Sequence, residues 1–383
     1  MKIALLGFGT VGSGVYEILQ KDNFKYDITV EKILIKANRQ ITSPIMTREF
    51  YNILTDSSID TIVEVMGGIN PAFEYIEAAL KSGKNVVTSN KAVVAKHLKY
   101  FTELAEDNKV KFLYEASVGG GVHWIESIKK VKAIDEISSI SGIFNGTTNF
   151  ILYNMNKFGY EFDEILKKAQ ELGYAEKDPT DDIDGIDILR KLIISSKLAF
   201  NHIFSENDIP VFGIRNIKKS DVDYFNSIGL TVKLIAKTVS KDDKIVPVIE
   251  PVLFDSSALE GNIPENFNIG TIVGESVGEL KFYGQGAGKL PTGNAVVQDL
   301  INIINKNKDP MKYIKKDYVI DYSLICNKYY LRIDEKYRNE ELNEIIDKKI
   351  GNNIYITKEI PVNTINNLLK KYNMQNAFFA RFN

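Results

Sequence analysis

Lys2-Ile3-Ala4-Leu5-Leu6-Gly7-Phe8-Gly9-Thr10-Val11-Gly12 is the stretch that decides the fold. Ile3 to Leu6 form a short apolar run, the mark of a strand buried on both faces in a parallel sheet. The glycines that follow fit G-x-G-x-x-G, and Val15 to Gln20 then reads as a helix. In such a strand–turn–helix, Gly7 permits the tight turn and Gly9 lets the backbone approach a pyrophosphate. Gly12 lets the helix pack closely on the strand, while Phe8, Thr10 and Val11 occupy the remaining positions of the loop. Unpaired N–H groups at the helix N-terminus suit phosphate oxygens. The expectation is a Rossmann-type domain that binds NAD or NADP.

Further strands are predicted near 28–36, 61–66, 85–90 and 111–117. Helices are predicted from Pro71 to Gly83, with proline in the first turn and glycine at the end, and from Ala92 to Asn108. Alternating strands and helices imply a parallel sheet with right-handed crossovers. The acidic residue that usually meets a ribose diol is missing after the second strand, because Glu31 falls too early. Lys36 and Arg39 stand there instead. Two basic groups suit a 2′-phosphate and favour NADP, the alternative being plain surface charges.

The pattern changes beyond about residue 135. Strand-like Ile137–Phe144 leads into a helix that Thr147 or Thr148 could cap. Helices near 161–172 and 183–200 follow, and then strands at Thr231–Val239 and Lys244–Phe254. The last sixty or so residues alternate strand and helix again. The fold class expected is α/β, with three parts. A Rossmann-type parallel-sheet nucleotide domain spans 1–135 plus about 283–310. An α+β catalytic and dimerisation domain spans 136–282, and a small degenerate ACT-like unit spans 321–383.

Composition narrows the partners. The chain has 383 residues, 44% hydrophobic and 26% charged, with 48 basic against 50 acidic side chains and a net charge of −2. No basic excess points to nucleic acid or to an anionic membrane. The one cysteine, Cys326, excludes an internal disulfide and any multi-cysteine metal site. The three histidines, His97, His123 and His202, show no ligand spacing. No stretch reaches membrane-spanning length, and the apolar run at the start is too short for a signal peptide, so a cytoplasmic location is expected.

Six segments, in order, resemble the homoserine dehydrogenase family: GFGTVGSGV from Gly7, TSNKAVVA from Thr88, YEASVGGGV from Tyr114, GIFNGTTNFIL from Gly142, GYAEKDPTDDIDGIDILRKLIIS from Gly173, and YGQGAGKLPTGNAVVQDL from Tyr283. The resemblance covers about residues 1–305. It implies interconversion of L-homoserine and L-aspartate 4-semialdehyde, with the hydride carried by NAD(P), in a homodimer. Such a substrate carries an ammonium, a carboxylate and a reacting hydroxyl. Glu176, Asp182 and Asp187 offer negative charge for the ammonium. Asp187 and Lys191 are four apart and share a helical face, and a lysine partly removed from water exchanges its proton more readily. The resemblance implies that Lys191 is the general acid/base and that Glu176 and Asp187 are substrate ligands. It also implies Lys91 as a second lysine near nicotinamide and substrate, and Gly67 and Gly286 beside the cofactor.

The segment Glu115–Val122 resembles the family's loop for a monovalent cation, Na or K. Backbone carbonyls of Glu115, Val118, Gly120 and Val122 are the implied ligands, and oxygen ligands suit hard cations. His123 stands where the family has proline. The C-terminal unit lacks the aspartate–proline–glycine turn of ACT domains, with Glu335–Arg338 in its place. Aspartate-semialdehyde dehydrogenase, a rival reading, needs a thiol nucleophile, and Cys326 lies outside every motif. A non-catalytic NAD(P)-sensing homologue is the alternative from another class.

Overall fold

The computed structural model describes residues 1–306 and 316–383. The chain divides into two compact units, Met1–Ala133 with the segment that begins at Gln285, and Ile134–Gly284 with the C-terminal segment. The end proposed near residue 310 for the nucleotide domain lies outside the described residues. Among the described residues, no helix is long and apolar enough to cross a membrane.

In the first unit six strands form one sheet: β1 (Lys2–Leu6), β2 (Thr29–Leu34), β3 (Met46–Thr47), β4 (Thr61–Glu64), β5 (Asn85–Thr88) and β6 (Phe112–Leu113). Their order is β3-β2-β1-β4-β5-β6, and every neighbouring pair is parallel. This is the doubly wound order expected of a dinucleotide-binding sheet. Helices α1 (Thr10–Leu19), α2 (Tyr51–Leu54), α3 (Ala72–Lys81), α4 (Lys91–Asp107) and α5 (Trp124–Lys132) join the strands. Ile3, Leu5, Val63 and Val87 bury completely against Val15 and Ile18 of α1. Val296 and Leu300, from a helix that returns far along the chain, Lys289–Ile304, complete this core.

Two sequence expectations shift. The short β3 was not foreseen, since two paired residues carry no periodicity. The strand expected over 111–117 stops after Leu113. There the Asp299 carboxylate accepts the Glu115 N–H at 2.8 Å and the Ser117 hydroxyl donates to the Tyr114 carbonyl at 2.6 Å, so side chains satisfy groups that a ladder would need.

The second unit is built on a mixed sheet. Its strands are β7 (Ile137–Ile143), β8 (Leu230–Lys241), β9 (Lys244–Asp255), β10 (Phe267–Gly274) and β11 (Gly278–Gln285), then β12 (Val319–Ile320), β13 (Cys326–Asn327), β14 (Tyr329–Arg332), β15 (Ile346–Gly351), β16 (Ile354–Thr357), β17 (Ile360–Pro361) and β18 (Phe378–Phe382). Nine of them run in the order β11-β10-β7-β8-β9-β18-β14-β16-β15, β12 pairs with β9, and β13 and β17 form a separate pair. The helices are α6 (Gly146–Phe158), α7 (Phe162–Glu171), α8 (Thr180–Ile183), α9 (Ile186–Phe200), α10 (Lys219–Ser227), α12 (Glu340–Ile345) and α13 (Thr364–Lys371), and the returning helix is α11. The sequence reading overlooked α10, whose polar stretch shows little helical periodicity.

Residues 321–383, read from the sequence as an ACT-like unit, contribute strands to this same sheet. β18 lies parallel to β9 with Arg381 opposite Val252. Arg381 Nε donates to Glu250 Oε1 at 2.6 Å, and both side chains are almost wholly buried. Burial pushes the Glu250 carboxyl up to about 6, and Arg381 offsets part of that rise. A second tie runs to α10, where Asp221 accepts from Arg332 Nε at 2.7 Å and from the Tyr330 hydroxyl at 2.7 Å. Removing one member of a buried ion pair strands the other, at a cost of about 3–5 kcal/mol. Arg381→Ala should lower the unfolding free energy by that order in urea denaturation, and a loss below about 1 kcal/mol would show that the pair does not hold β18 in place.

Candidate active site

The glycine loop of the first unit has the form its sequence suggests. Gly7 adopts a φ of +106°, and a Cβ added at Gly12 would stand 2.2 Å from the Gly7 carbonyl oxygen. At Gly9 an added Cβ would meet nothing within 4 Å, leaving open space over the loop. Thr10 and Val11 open α1, whose N-terminus has no side-chain cap and no acidic residue in its first turn. Its N–H groups therefore suit an anion. A cavity of about 570 Å³ borders Gly7, Phe8, Gly9, Lys36, Arg39 and Gly67. Loop, cavity and charge together fit a dinucleotide.

Arg48, which the sequence reading passed over, lines the same cavity. Arg39 Nη1 donates to the Phe8 carbonyl at 2.6 Å, and Arg48 Nη2 donates to the Arg39 carbonyl at 2.8 Å. Arg48 comes just after β3, so only the unforeseen strand brings it here. Glu64, at the C-terminal end of β4, is another missed residue. It is fully buried and accepts from the Thr88 hydroxyl at 2.6 Å and the Met66 N–H at 2.8 Å. Burial raises its pKa, and these hydrogen bonds oppose the rise. Asn90 caps α4 by accepting from the Val93 N–H, and its amide donates to the Gly68 carbonyl at 2.6 Å. Asn90 thus ties the start of α4, where Lys91 is the first residue, to the loop after β4 that contains Gly67.

The segment expected to bind a cation folds as two three-residue turns, Glu115–Ser117 and Gly120–Val122, with Val118 extended between them and fully buried. Glu115 Oε1 and Oε2 accept the N–H groups of Ile125 and Glu126 and so cap α5. Burial, and then Asp299 beside it, push the Glu115 carboxyl up to about 8, and burial pushes Asp299 up to about 7. A Cβ on Gly120 would stand 2.6 Å from the Gly286 carbonyl, so the two backbones touch. His123 has a φ of 54° and a ψ of 46°. Proline is locked near −65° and cannot adopt that conformation, whereas histidine enters the left-handed region more readily than most residues. The chain here follows a path that a prolyl loop could not.

In the second unit, the acidic segment is sorted by its partners. Asp178 accepts from Thr180, Asp181 from Arg190 at 2.6 Å, and Asp184 from Arg215 at 2.7 Å. Asp182 points elsewhere. Asn145 Nδ2 donates to Asp182 Oδ1 at 2.7 Å and to Asp187 Oδ2 at 2.8 Å. Lys191 Nζ donates to the same Asp187 oxygen at 2.8 Å and to the Phe144 carbonyl at 2.5 Å. Asp187 is 5% exposed and Lys191 9%. Burial raises the Asp182 pKa, and the hydrogen bond from Asn145 is the largest opposing effect. Asp182, Asp187 and Lys191 are thus brought together as the sequence suggested. Glu176 is exposed on the loop before α8, where its carbonyl accepts from Gln170.

Asn145 was not singled out from the sequence. It is the N-cap of α6, where Thr147 or Thr148 had been expected, and its Oδ1 accepts the Thr148 N–H at 2.8 Å. Thr147 instead donates its hydroxyl to the Tyr174 carbonyl at 2.6 Å. Asparagine's preference for N-caps was a usable signal.

Residues 7–115 match the family model described as the homoserine dehydrogenase NAD-binding domain, and residues 124–301 match that of homoserine dehydrogenase itself. The homoserine dehydrogenase of Bacillus subtilis is 36% identical over 315 residues, 79% of this chain and 73% of that protein. A homoserine dehydrogenase crystal structure from Thiobacillus denitrificans superposes with a TM-score of 0.86 at 28% identity, covering 100% of this chain and 98% of that one. A hyperthermophilic archaeal homoserine dehydrogenase mutant, solved in complex with NADPH, gives 0.69 at 25% identity over 80% of this chain and 98% of its own. The chain belongs to the homoserine dehydrogenase family, NAD(P)-dependent oxidoreductases that act on a CH–OH group.

Proposed function

We propose that Asp182, Asp187 and Lys191 form the substrate site for homoserine and its aldehyde, with Lys191 moving the proton. The observation that carries this reading is the largely buried cluster these side chains make with Asn145 and the Phe144 carbonyl. Bound NAD(P) supplies the hydride acceptor or donor. When the alcohol is oxidised its hydroxyl proton must leave as well, since an alkoxide in a dry site would be costly. As a neutral amine Lys191 takes that proton, and in the reverse direction its ammonium returns one to the forming alkoxide. Asp187 holds the Lys191 amino group in place, and Asp182 and Asp187 offer charge to the substrate ammonium. Glu176 reaches the substrate from its exposed loop, and Lys91 attends the nicotinamide side.

Gly7, Phe8, Gly9, Thr10, Val11 and Gly12 hold the pyrophosphate, with Gly67 and Gly286 alongside. Lys36 and Arg39 favour NADP over NAD, supported by Arg48 on the same cavity and by the NADPH carried by the archaeal relative. A monovalent cation, Na or K, would be held by the carbonyls of Glu115, Val118, Gly120 and Val122, for which two consecutive tight turns are suitable. The first unit serves the nucleotide and residues 136–282 serve the substrate. The enzyme works in the cytoplasm as a homodimer. β11, at one end of the mixed sheet, leaves a strand edge and partly exposed side chains for a second copy.

Lys191→Ala should lower kcat by roughly a hundredfold or more, with cofactor KM nearly unchanged, in a 340 nm assay of homoserine oxidation. A wild-type kcat with only homoserine affinity lost would make Lys191 a ligand and shift the proton to Lys91. Changing Lys36 and Arg39 together to alanine should weaken NADP far more than NAD in fluorescence titrations, and equal losses would remove these residues from 2′-phosphate recognition. Light scattering at micromolar concentration should return twice the chain mass, and a monomer mass would exclude the dimer.

A further inference from the structure

We infer that Asn145 is a positioning residue for the substrate cluster: its amide holds the Asp182 and Asp187 carboxylates together beside Lys191. The inference rests on the reading of Asp182, Asp187 and Lys191 as the substrate site.

The hydrogen bonds fix how the amide is used. Both carboxylates accept from Nδ2, at 2.7 and 2.8 Å, and Oδ1 accepts the Thr148 N–H at 2.8 Å. The reverse orientation would press a carbonyl oxygen against two carboxylates and leave the N-terminus of α6 uncapped, so the side chain has one satisfactory orientation. An amide has two N–H donors, and here they go to residues on two different helices, Asp182 on α8 and Asp187 on α9. Phe144, the preceding residue, contributes its carbonyl to Lys191. The end of β7 and the start of α6 therefore organise all three charged groups from one backbone position.

Charge explains why the donor is neutral. The two carboxylates offer negative charge to the single ammonium of an amino-acid substrate. A lysine or arginine at 145 would cancel that charge. An aspartate would add to it and supply no donor. Asparagine lowers the repulsion between two carboxylates in a buried place while leaving their sum unaltered. The groups facing Asp182 are Asp187 and Lys191 from α9 and Asn145 and Thr147 from α6, and of these Asp187 raises the Asp182 pKa while the other three lower it. Asn145 thus also favours the ionised form of Asp182 at neutral pH.

The test compares Asn145→Ser and Asn145→Asp with Lys191→Ala and Asp187→Asn, in the full-length enzyme. Serine and aspartate both remain N-cap acceptors, and in the serine variant, which adds no charge, the melting temperature should hold within a few degrees. Serine keeps a single donor and aspartate none. With NADP saturating, both Asn145 variants should lose at least tenfold in kcat/KM for homoserine, mostly through KM, with cofactor KM unaltered. In Asn145→Ser the acid limb of kcat/KM should move to higher pH, because Asp182 loses its largest stabilising hydrogen bond. A role confined to capping α6 would leave that limb where it was. The inference is overturned if both variants keep wild-type kcat/KM and the wild-type acid limb while Lys191→Ala and Asp187→Asn are impaired. If those two reference variants also keep full activity, the reading of the substrate site itself fails.

Discussion

Closure of the first unit depends on backbone touching backbone where α11 meets α1. A Cβ on Gly14 would stand 2.1 Å from the Lys289 carbonyl oxygen, and one on Gly293 would stand 2.9 Å from Gly14. No side chain fits at either point, so two glycines far apart in the chain permit one contact. Around it gather Val15, Val296 and Leu300 in the core, the Asp299 carboxylate on the Glu115 N–H, and Gly286 against Gly120. The chain leaves this unit near residue 133 and re-enters it near 285, so its core includes a helix contributed from far along the chain.

The second unit solves a similar problem with charge. β9 is buried over its whole middle because β8 pairs along one edge and β18 comes back, parallel, on the other. A parallel return brings the C-terminal strand beside a strand more than a hundred residues earlier. The Arg381–Glu250 and Arg332–Asp221 pairs then tie that segment to the sheet and to α10. Buried ion pairs contribute little net stability, but they penalise any register that leaves one charge alone. That is a reason for the last strands to share this sheet.

The cluster of Asn145, Asp182, Asp187 and Lys191 follows the same logic on a smaller scale. Asn145 holds the two aspartates from another element, and the Phe144 carbonyl does the same for Lys191. Asn145 caps α6 while it joins two aspartates, and Asp187 belongs to the first turn of α9 while it holds Lys191. Glu176, by contrast, lies on an exposed loop. A side chain left loose in this way can move on substrate binding, whereas the buried groups are already arranged.

Much was legible in the sequence, wherever a local rule was at work. The apolar run at Ile3–Leu6 with its three glycines required a tight turn and a close helix, and the spacing of Asp187 and Lys191 put both on one face of α9. Those are consequences of backbone geometry over a few residues. What the sequence could not supply were partners joined across long separations: Arg48 at the cofactor cavity, Asp299 at Glu115, Arg381 at Glu250, and Asn145 between Asp182 and Asp187. Each is a polar side chain whose role depends on which other polar group it meets once water is excluded. Hydrophobic periodicity says where a chain is buried, but it carries no information on how buried charges are paired. Only the tertiary structure decides that, because an unpaired buried charge is costly and the pairing that avoids it is a property of the whole packed chain.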